Sequence, residues 1–229
     1  MRKTSFAQDA LLDVSEAIEY RTVERKDLAD AVRIYLESFP ARVDRLFHNE
    51  RHAAQFYLDL MGLMRLAHGR TFFAALHHDR LVGYLILTLP RQSLLAALFR
   101  ERFILQVAAH ALTGRYGFSL SMLGRVLRGL FSEGSSDVAR RLSDSPHVYV
   151  VAVEKQFTGK GIGSALIEQA RAACRGRFHR IWLNVERENT GAIQMYERTG
   201  FRIVESDALQ HVMVWNLQAA EANAKPVSD

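Results

Sequence analysis

The chain has 229 residues, of which 48% are hydrophobic, 24% are charged and only four are proline. This composition excludes a disordered or collagen-like chain, and the length supplies enough apolar surface for a core without disulfide or metal staples. The single cysteine, Cys174, excludes a disulfide framework and a cysteine-based zinc site. We expect one large domain, with or without an insertion, rather than two.

The positive charge is concentrated in one segment. The net charge is +5, and residues 91–141 alone hold eight arginines, no lysine and three acidic residues, an excess equal to that of the whole chain. Such a segment suits nucleic acid, anionic lipid, a phosphorylated substrate or plain solubility. Aromatic residues are not interleaved with the arginines as base stacking requires, so we expect no nucleic-acid partner.

Neither a leader nor a membrane span is expected. No apolar run like that of a signal peptide follows Arg2 and Lys3. The apolar segment 94–112 is long enough for a bilayer, but the charged residues 100–102 interrupt it. The sequence therefore predicts a cytoplasmic protein.

In chain order, a short strand and two helices come first. Residues 1–16 form an extension with a weak pattern, and the loose alternation of Ile18–Val23 predicts a strand. Apolar residues at helical spacing predict a helix over 26–39, with Asp27 as its N-cap. The same spacing predicts a second helix over Ala41–His68.

A hairpin and a basic insertion follow. β-branched and aromatic residues on either side of the polar turn 77–80 predict strands over Thr71–Leu76 and Leu81–Leu89. The segment from about 91 to 144 is rich in leucine and arginine and is predicted to be helical. Within it, residues 120–131 carry an apolar stripe flanked by arginines, the pattern of a basic amphipathic helix.

The remaining sequence alternates strands with helices. The predicted strands are His147–Val153, Arg180–Val185, Phe201–Val204 and Gln210–Leu217, and the predicted helices are Gly161–Cys174 and Thr190–Thr199. This order predicts a mixed α/β fold, with a central mixed sheet, flanking helices and the helical insertion at about 91–144. The domain is expected to span 17–217, followed by a flexible tail over 218–229.

A glycine-rich loop carries the main functional signal. The strand His147–Val153 leads through five residues into Gly159-Lys160-Gly161-Ile162-Gly163-Ser164, which opens the next helix. Glycines at alternate positions let the backbone approach a ligand closely. The N–H groups of the loop and of the first helical turn then favour an anion such as a phosphate or a diphosphate.

Several types of glycine loop compete for this pattern. A P-loop requires Ser or Thr directly after its lysine, but Lys160 is followed by Gly161. A dinucleotide-binding fingerprint requires G-x-G-x-x-G close behind the strand; the glycine spacing differs here, although Glu186 could serve as the ribose-binding acid. A third interpretation, in which the glycines only allow tight packing and bind no ligand, is also not excluded.

Two blocks together resemble the GNAT superfamily of N-acetyltransferases. The first is Val151-Ala-Val, five residues, then Gly-Lys-Gly-Ile-Gly-Ser, which is similar to the family's acetyl-CoA loop. The second is Asn184-Val, three residues, then Asn189-Thr-Gly-Ala-Ile-Gln-Met-Tyr196-Glu-Arg-Thr-Gly-Phe. Thr158 stands where the family usually has Gln or Arg, a departure that we expect to affect cofactor affinity more than family membership.

The resemblance implies acetyl-CoA as co-substrate and no metal. It places the pantetheine arm and the acetyl carbonyl along the strand at Val151, Ala152 and Val153. It places the diphosphate on the loop and the adjacent cofactor contacts on the second block, which together comprise Thr158, Gly159, Lys160, Gly161, Ile162, Gly163, Ser164, Asn189 and Tyr196.

Direct acetyl transfer needs an acid for the thiolate and a base for the amine. The resemblance assigns Tyr196 as the acid. We predict His147 as the base, because alternation puts it on one face of the strand with Tyr149, Val151 and Val153. Tyr149 would complete a water relay, and Glu154 is the reserve base.

The acceptor and the insertion carry no readable signature. We expect transfer to a primary amine of a small molecule or an amino sugar. Transfer of a longer acyl chain, acetylation of a protein, and a non-catalytic acetyl-CoA sensor or scaffold at a membrane stay open. The insertion could form a lid, a peripheral membrane contact, a homodimer contact or extra packing. His48 and His52 have the spacing of metal ligands but lack the other residues of such a motif, so no metal site is expected.

Overall fold

The computed structural model describes residues 18–47, 49–90, 97, 103–117 and 141–217. Within these ranges the chain forms seven strands and six α-helices. The strands are β1 (Ile18–Thr22), β2 (Phe72–His77), β3 (Arg80–Thr88), β4 (His147–Val153), β5 (Arg180–Glu186), β6 (Arg202–Ser206) and β7 (Gln210–Asn216). The helices are α1 (Leu28–Ser38), α2 (Pro40–Asp44), α3 (Glu50–His68), α4 (Phe103–Leu112), α5 (Ile162–Cys174) and α6 (Thr190–Thr199).

The strands form a single mixed sheet in the order β1-β2-β3-β4-β5-β7-β6. Every neighbouring pair is antiparallel except β4 and β5, which are parallel. A connection through α5 joins these two strands, as parallel pairing requires a crossover. The predicted mixed α/β fold is confirmed.

Each face of the sheet has its own core. On one face, α1 and α3 pack on β2, β3 and β4, and their contact includes the fully buried residues Ile34, Phe72 and Tyr84. On the other face, α5 packs across β2 to β5 and β7 through residues such as Leu166 and Ile167. The helices thus cover both faces of the strands that carry the candidate site.

The first helices differ from their predictions in two details. Asp27 occupies the predicted N-cap position of α1, but a 3₁₀ turn over Arg25–Asp27 precedes the helix, and the Asp27 carboxylate accepts hydrogen bonds from Arg21 and the Glu24 N–H instead of capping α1. The helix predicted over Ala41–His68 is two helices, because the chain leaves helical geometry after α2 and Asn49 caps α3 by accepting from the Arg51 N–H. Apolar spacing alone does not reveal such a break.

One carboxylate of α3 binds three residues of the described part of the insertion. Asp59, which is 5% exposed, accepts hydrogen bonds from Gln106 and His110 of α4 and from the Tyr116 hydroxyl, at 2.8, 2.6 and 2.6 Å. The stripe 120–131 lies outside the described residues. So do the extension 1–16 and the tail 218–229.

Candidate active site

A β-bulge in β4 opens the middle of the sheet. Ile86 of β3 pairs with Val150, but the next residue, Leu87, pairs with Val148, so Tyr149 is the extra residue. A bulge bends the strand that carries it. The pairing of β4 with β5 comprises only His147 and Val148 and ends at this point. Beyond the bulge, the two strands diverge.

The divergence leaves backbone groups of β4 without a neighbouring strand. The Glu154 N–H donates to the Val82 carbonyl at 2.8 Å, and hydrogen-bonded pairs alternate along an antiparallel ladder. Ala152 therefore also turns its N–H and C=O to β3, whereas Val151 and Val153 turn theirs toward the gap. These groups fit a ligand that carries amides of its own, lying along β4 in place of a strand.

The gap between β4 and β5 forms part of a cavity of about 310 Å³. Its walls come from the loop between α1 and α2, from β4 and β5, from the first turn of α5 and from α6. The residues that line it include Ser38, Phe39, Arg42, Tyr149, Val151, Val153, Gly163, Asn184, Glu186, Asn189, Ala192, Met195 and Tyr196.

The bulge also changes which side chains share a face of β4. Val151 and Val153 pack against the core under α5, whereas Tyr149 packs against the core under α1 and α3. His147 stacks on Trp182, whose side chain belongs to neither of these clusters. The prediction that His147, Tyr149, Val151 and Val153 share one face is wrong, because strict alternation fails where a residue is inserted.

The glycine loop has the backbone geometry of an anion site. Gly159 and Gly161 have φ of 77° and 80°, in the left-handed region that favours glycine. The first bond of α5 runs from the Ala165 N–H to the Gly161 carbonyl at 3.0 Å, so the N–H groups that precede it have no partner within the helix. The positive end of the helix dipole lies at the same place.

Side chains next to this loop are engaged within the protein. The Thr158 hydroxyl donates to the Lys155 carbonyl at 2.7 Å, which holds the turn before the glycines. The Lys160 ammonium lies 5.0 Å from the centre of the Phe157 ring and adds a positive charge beside the loop. Ile162 is buried in the core, and only its backbone is available to a ligand.

Tyr196 lies in the cavity wall, where helix α6 places it. Asn189 caps α6 by accepting from the Ala192 N–H at 3.1 Å, and Gly200 ends the helix with a φ of 113°. The predicted cap and stop are confirmed, and Ala192 and Tyr196 both face the cavity. Burial raises the pKa of Tyr196 well above its usual range, so the hydroxyl stays protonated near neutral pH.

His147 lies beside the cavity wall rather than in it. Its ring stacks on Trp182 with centroids 4.0 Å apart, and its centroid is 6.3 Å from that of Tyr149, which lines the cavity. Burial lowers the pKa of His147 to about 4. The imidazole is therefore neutral near pH 7, but it is a weaker base than an ordinary histidine.

Glu154 joins three elements at the end of β4. Its carboxylate accepts from Arg33 of α1 at 3.1 Å, from Arg80 of β3 at 2.8 Å and from Gln156 at 3.0 Å. The side chain is 11% exposed. These contacts occupy the oxygens that a general base would use.

Sequence reasoning missed Arg42 and considered Glu186 only as a ribose-binding acid, although both lie on the other side of the cavity. Arg42 and Glu186 both line it, and a guanidinium nitrogen of Arg42 lies 3.6 Å from a carboxylate oxygen of Glu186. Glu186 had one usable signal, its place at the carboxyl end of a strand, where ligands bind in such sheets. Arg42 had none, because only the fold brings α2 to the end of β5.

Comparisons with known proteins agree with this geometry. The model of the "Acetyltransferase (GNAT) family" matches residues 126–201. A mycothiol acetyltransferase of Mycolicibacterium gilvum is 39% identical over 66 residues, which are 26% of this chain and 22% of the relative. An uncharacterized N-acetyltransferase of Methanocaldococcus jannaschii is 42% identical over 57 residues, 24% of each chain. The matched segment spans less than a quarter of the length of these relatives.

Solved structures share the fold over most of the chain. The PaiA N-acetyltransferase of Thermoplasma acidophilum, in complex with coenzyme A, has a TM-score of 0.52 at 13% identity and covers 87% of this chain and 98% of its own. A histone acetyltransferase HPA2-related protein of Corynebacterium glutamicum has a TM-score of 0.54 at 17% identity, over 93% and 99%. The matched segment, 126–201, contains both sequence blocks that resemble the GNAT acetyltransferases, and the solved structures share the fold.

The described residues offer neither a metal cluster nor a membrane-spanning helix. In that part of the chain, no three His, Cys, Asp or Glu residues are grouped so that they could hold a metal ion. No described helix is both long and apolar enough to cross a membrane.

Proposed function

We propose that this chain is an N-acetyltransferase that moves the acetyl group of acetyl-CoA directly to a primary amine of a small molecule. The observation that carries the proposal is the unpaired edge of β4 at Val151 and Val153, which opens into a cavity next to the glycine loop. The sequence blocks and the family match support the same reaction class.

Each part of the cavity has a separate task in this reaction. The N–H groups of the loop from Thr158 to Ser164 would bind the diphosphate. The N–H and C=O groups of Val151 and Val153 would hold the pantetheine amides and the acetyl carbonyl. The acceptor amine would enter from the opposite wall, which is formed by the loop between α1 and α2 and by the end of β5.

Tyr196 would supply the proton for the leaving group. The amine nitrogen attacks the thioester carbon, the new C–N bond forms and the C–S bond breaks. The thiolate then takes the proton of the Tyr196 hydroxyl, which burial keeps protonated. The phenolate regains a proton from solvent.

His147 would receive the proton that the amine loses, by way of Tyr149 or water. Tyr149 lines the cavity and neighbours the His147 ring, and the lowered pKa keeps this ring neutral. Glu154 remains the reserve, although its carboxylate is held by Arg33 and Arg80. Comparison of the pH dependence of turnover in His147→Ala and Glu154→Gln separates the two; an unchanged profile in either variant removes that residue.

Thiol release tests the whole proposal. The full chain is mixed with acetyl-CoA and a panel of amines, amino acids and amino sugars, and free thiol is measured over time. Calorimetry with coenzyme A is run in parallel. We expect binding of coenzyme A and amine-dependent thiol release. Binding without release for every amine would favour a sensor, and the absence of binding would reject the proposal.

A further inference from the structure

The wall of the cavity opposite the glycine loop carries one positive and one negative side chain. Arg42 of α2 and Glu186 at the end of β5 face each other at 3.6 Å, and their side chains are 39% and 48% exposed. A long, exposed ion pair of this kind contributes little to stability. The pair can therefore open for a ligand at small cost.

Arg42 is held in place by groups other than Glu186. Its guanidinium lies 5.4 Å from the centre of the Phe39 ring, and Tyr35 favours its charged form. Burial alone would lower the pKa of Arg42, but Tyr35, Glu186 and Tyr149 reverse that effect and leave it raised. A guanidinium has five N–H donors in a planar fork, a geometry that suits a carboxylate.

We propose that Arg42 and Glu186 recognise an acceptor that carries a carboxylate beside its amine, that is, an α-amino acid. The inference rests on the proposed acetyl transfer and narrows its acceptor. Arg42 would bind the carboxylate, and Glu186 would accept a hydrogen bond from the ammonium or the amine.

The charges match such an acceptor pair by pair. In an α-amino acid the amine nitrogen and the carboxylate are bonded to the same carbon. The two groups are therefore close enough together to contact Arg42 and Glu186 at the same time. The ligand carboxylate replaces Glu186 as the partner of Arg42, and the ligand ammonium replaces Arg42 as the partner of Glu186. Neither protein charge is then left unpaired in the cavity. An amine without a carboxylate would occupy Glu186 and leave Arg42 with only Tyr35.

Matched acceptor pairs test the inference. Each pair is an amino acid and the amine left by its decarboxylation, such as tyrosine with tyramine, histidine with histamine and leucine with isoamylamine. The wild-type protein, saturated with acetyl-CoA, should acetylate the amino acid of at least one pair about tenfold or more better in kcat/KM. Arg42→Met should raise the KM for that amino acid by about 10- to 100-fold and leave the KM for its decarboxylated partner and for acetyl-CoA unchanged.

Controls separate recognition from folding. Arg45→Met changes an exposed arginine three residues away and should leave both acceptors unaffected. Arg42→Lys, which keeps the charge, should restore part of the preference. Both Arg42 variants should unfold at the wild-type temperature.

Each other outcome overturns the inference. Equal or better turnover of the decarboxylated amines, or an equal loss for both members of a pair in Arg42→Met, would reject amino-acid recognition while the acetyl transfer stands. If none of the amines or amino acids caused thiol release, the proposed function would be rejected, and the inference with it.

Discussion

At the scale of single residues, Tyr149 has the largest effect on the site. As the extra residue of a bulge, it bends β4 where the pairing with β5 ends, and it reverses the faces on which the following side chains lie. The cavity, the unpaired groups of Val151 and Val153, and the separation of these residues from His147 all follow from it.

The role of Tyr196 is tested by removing one oxygen. Tyr196→Phe keeps the ring and its edge contact with Phe201 but removes the proton donor. We expect kcat to fall by about 100-fold with little change in the KM for acetyl-CoA, the size typical of a general acid. Tyr20→Phe, in the outer strand β1, is the matched control and should have no effect. Wild-type turnover in Tyr196→Phe would remove the assignment.

His147 makes stability depend on pH. Its pKa is about 4 in the folded protein, against about 6.5 for an unperturbed histidine. Between these values the unfolded chain binds more protons, so the free energy of unfolding should fall as the pH is lowered from about 6.5 to 4, by up to about 3 kcal/mol.

His147→Phe keeps an aromatic ring against Trp182 and removes the titration. Urea unfolding at several pH values should show a flatter profile in this window than the wild-type profile. His179→Phe changes an exposed histidine and should keep the wild-type slope. A slope in His147→Phe equal to that of the wild type would contradict the assignment.

At the scale of elements, the docking of α4 depends on Asp59. Asp59→Ala would remove the carboxylate that accepts hydrogen bonds from Gln106, His110 and Tyr116. We expect a loss of about 2–4 kcal/mol in the free energy of unfolding, or faster amide exchange confined to residues 103–117. Asp44→Ala, at the exposed end of α2, is the control. Wild-type stability together with unchanged exchange would show that other contacts hold α4.

The glycine loop gives a second test at this scale. Gly161 needs its left-handed conformation, so Gly161→Ala should destabilise the fold by about 1–2 kcal/mol and weaken binding of coenzyme A. Gly191→Ala lies in the first turn of α6, where φ is ordinary and the added methyl meets nothing, and it should be neutral or stabilising. Equal effects of the two substitutions on unfolding and on calorimetric binding would refute the argument.

At the scale of the whole molecule, the sequence predicts the fold better than it predicts the site. Strands such as β4 and helices such as α5 have strong local patterns, and their predicted bounds agree with the structure to within a residue. The bulge and the break between α2 and α3 depend on tertiary packing, which leaves no periodic signal. Glycine spacing predicts the anion-binding loop, because neighbouring residues alone form this loop. Arg42 and Glu186 are 144 positions apart in the chain, so no local pattern predicts that they meet.

The gap between β4 and β5 also bears on the cohesion of the protein. Among the described residues, two pairs of the ladder join the first four strands to the last three, and side chains of the covering helices contribute further contacts. A molecule that spans this seam would act as an eighth strand, and whatever binds only the native state stabilises it by mass action. The melting temperature should therefore rise with the logarithm of the coenzyme A concentration. The folded protein would then be more stable in a cell with abundant coenzyme A than in a cell with little of it.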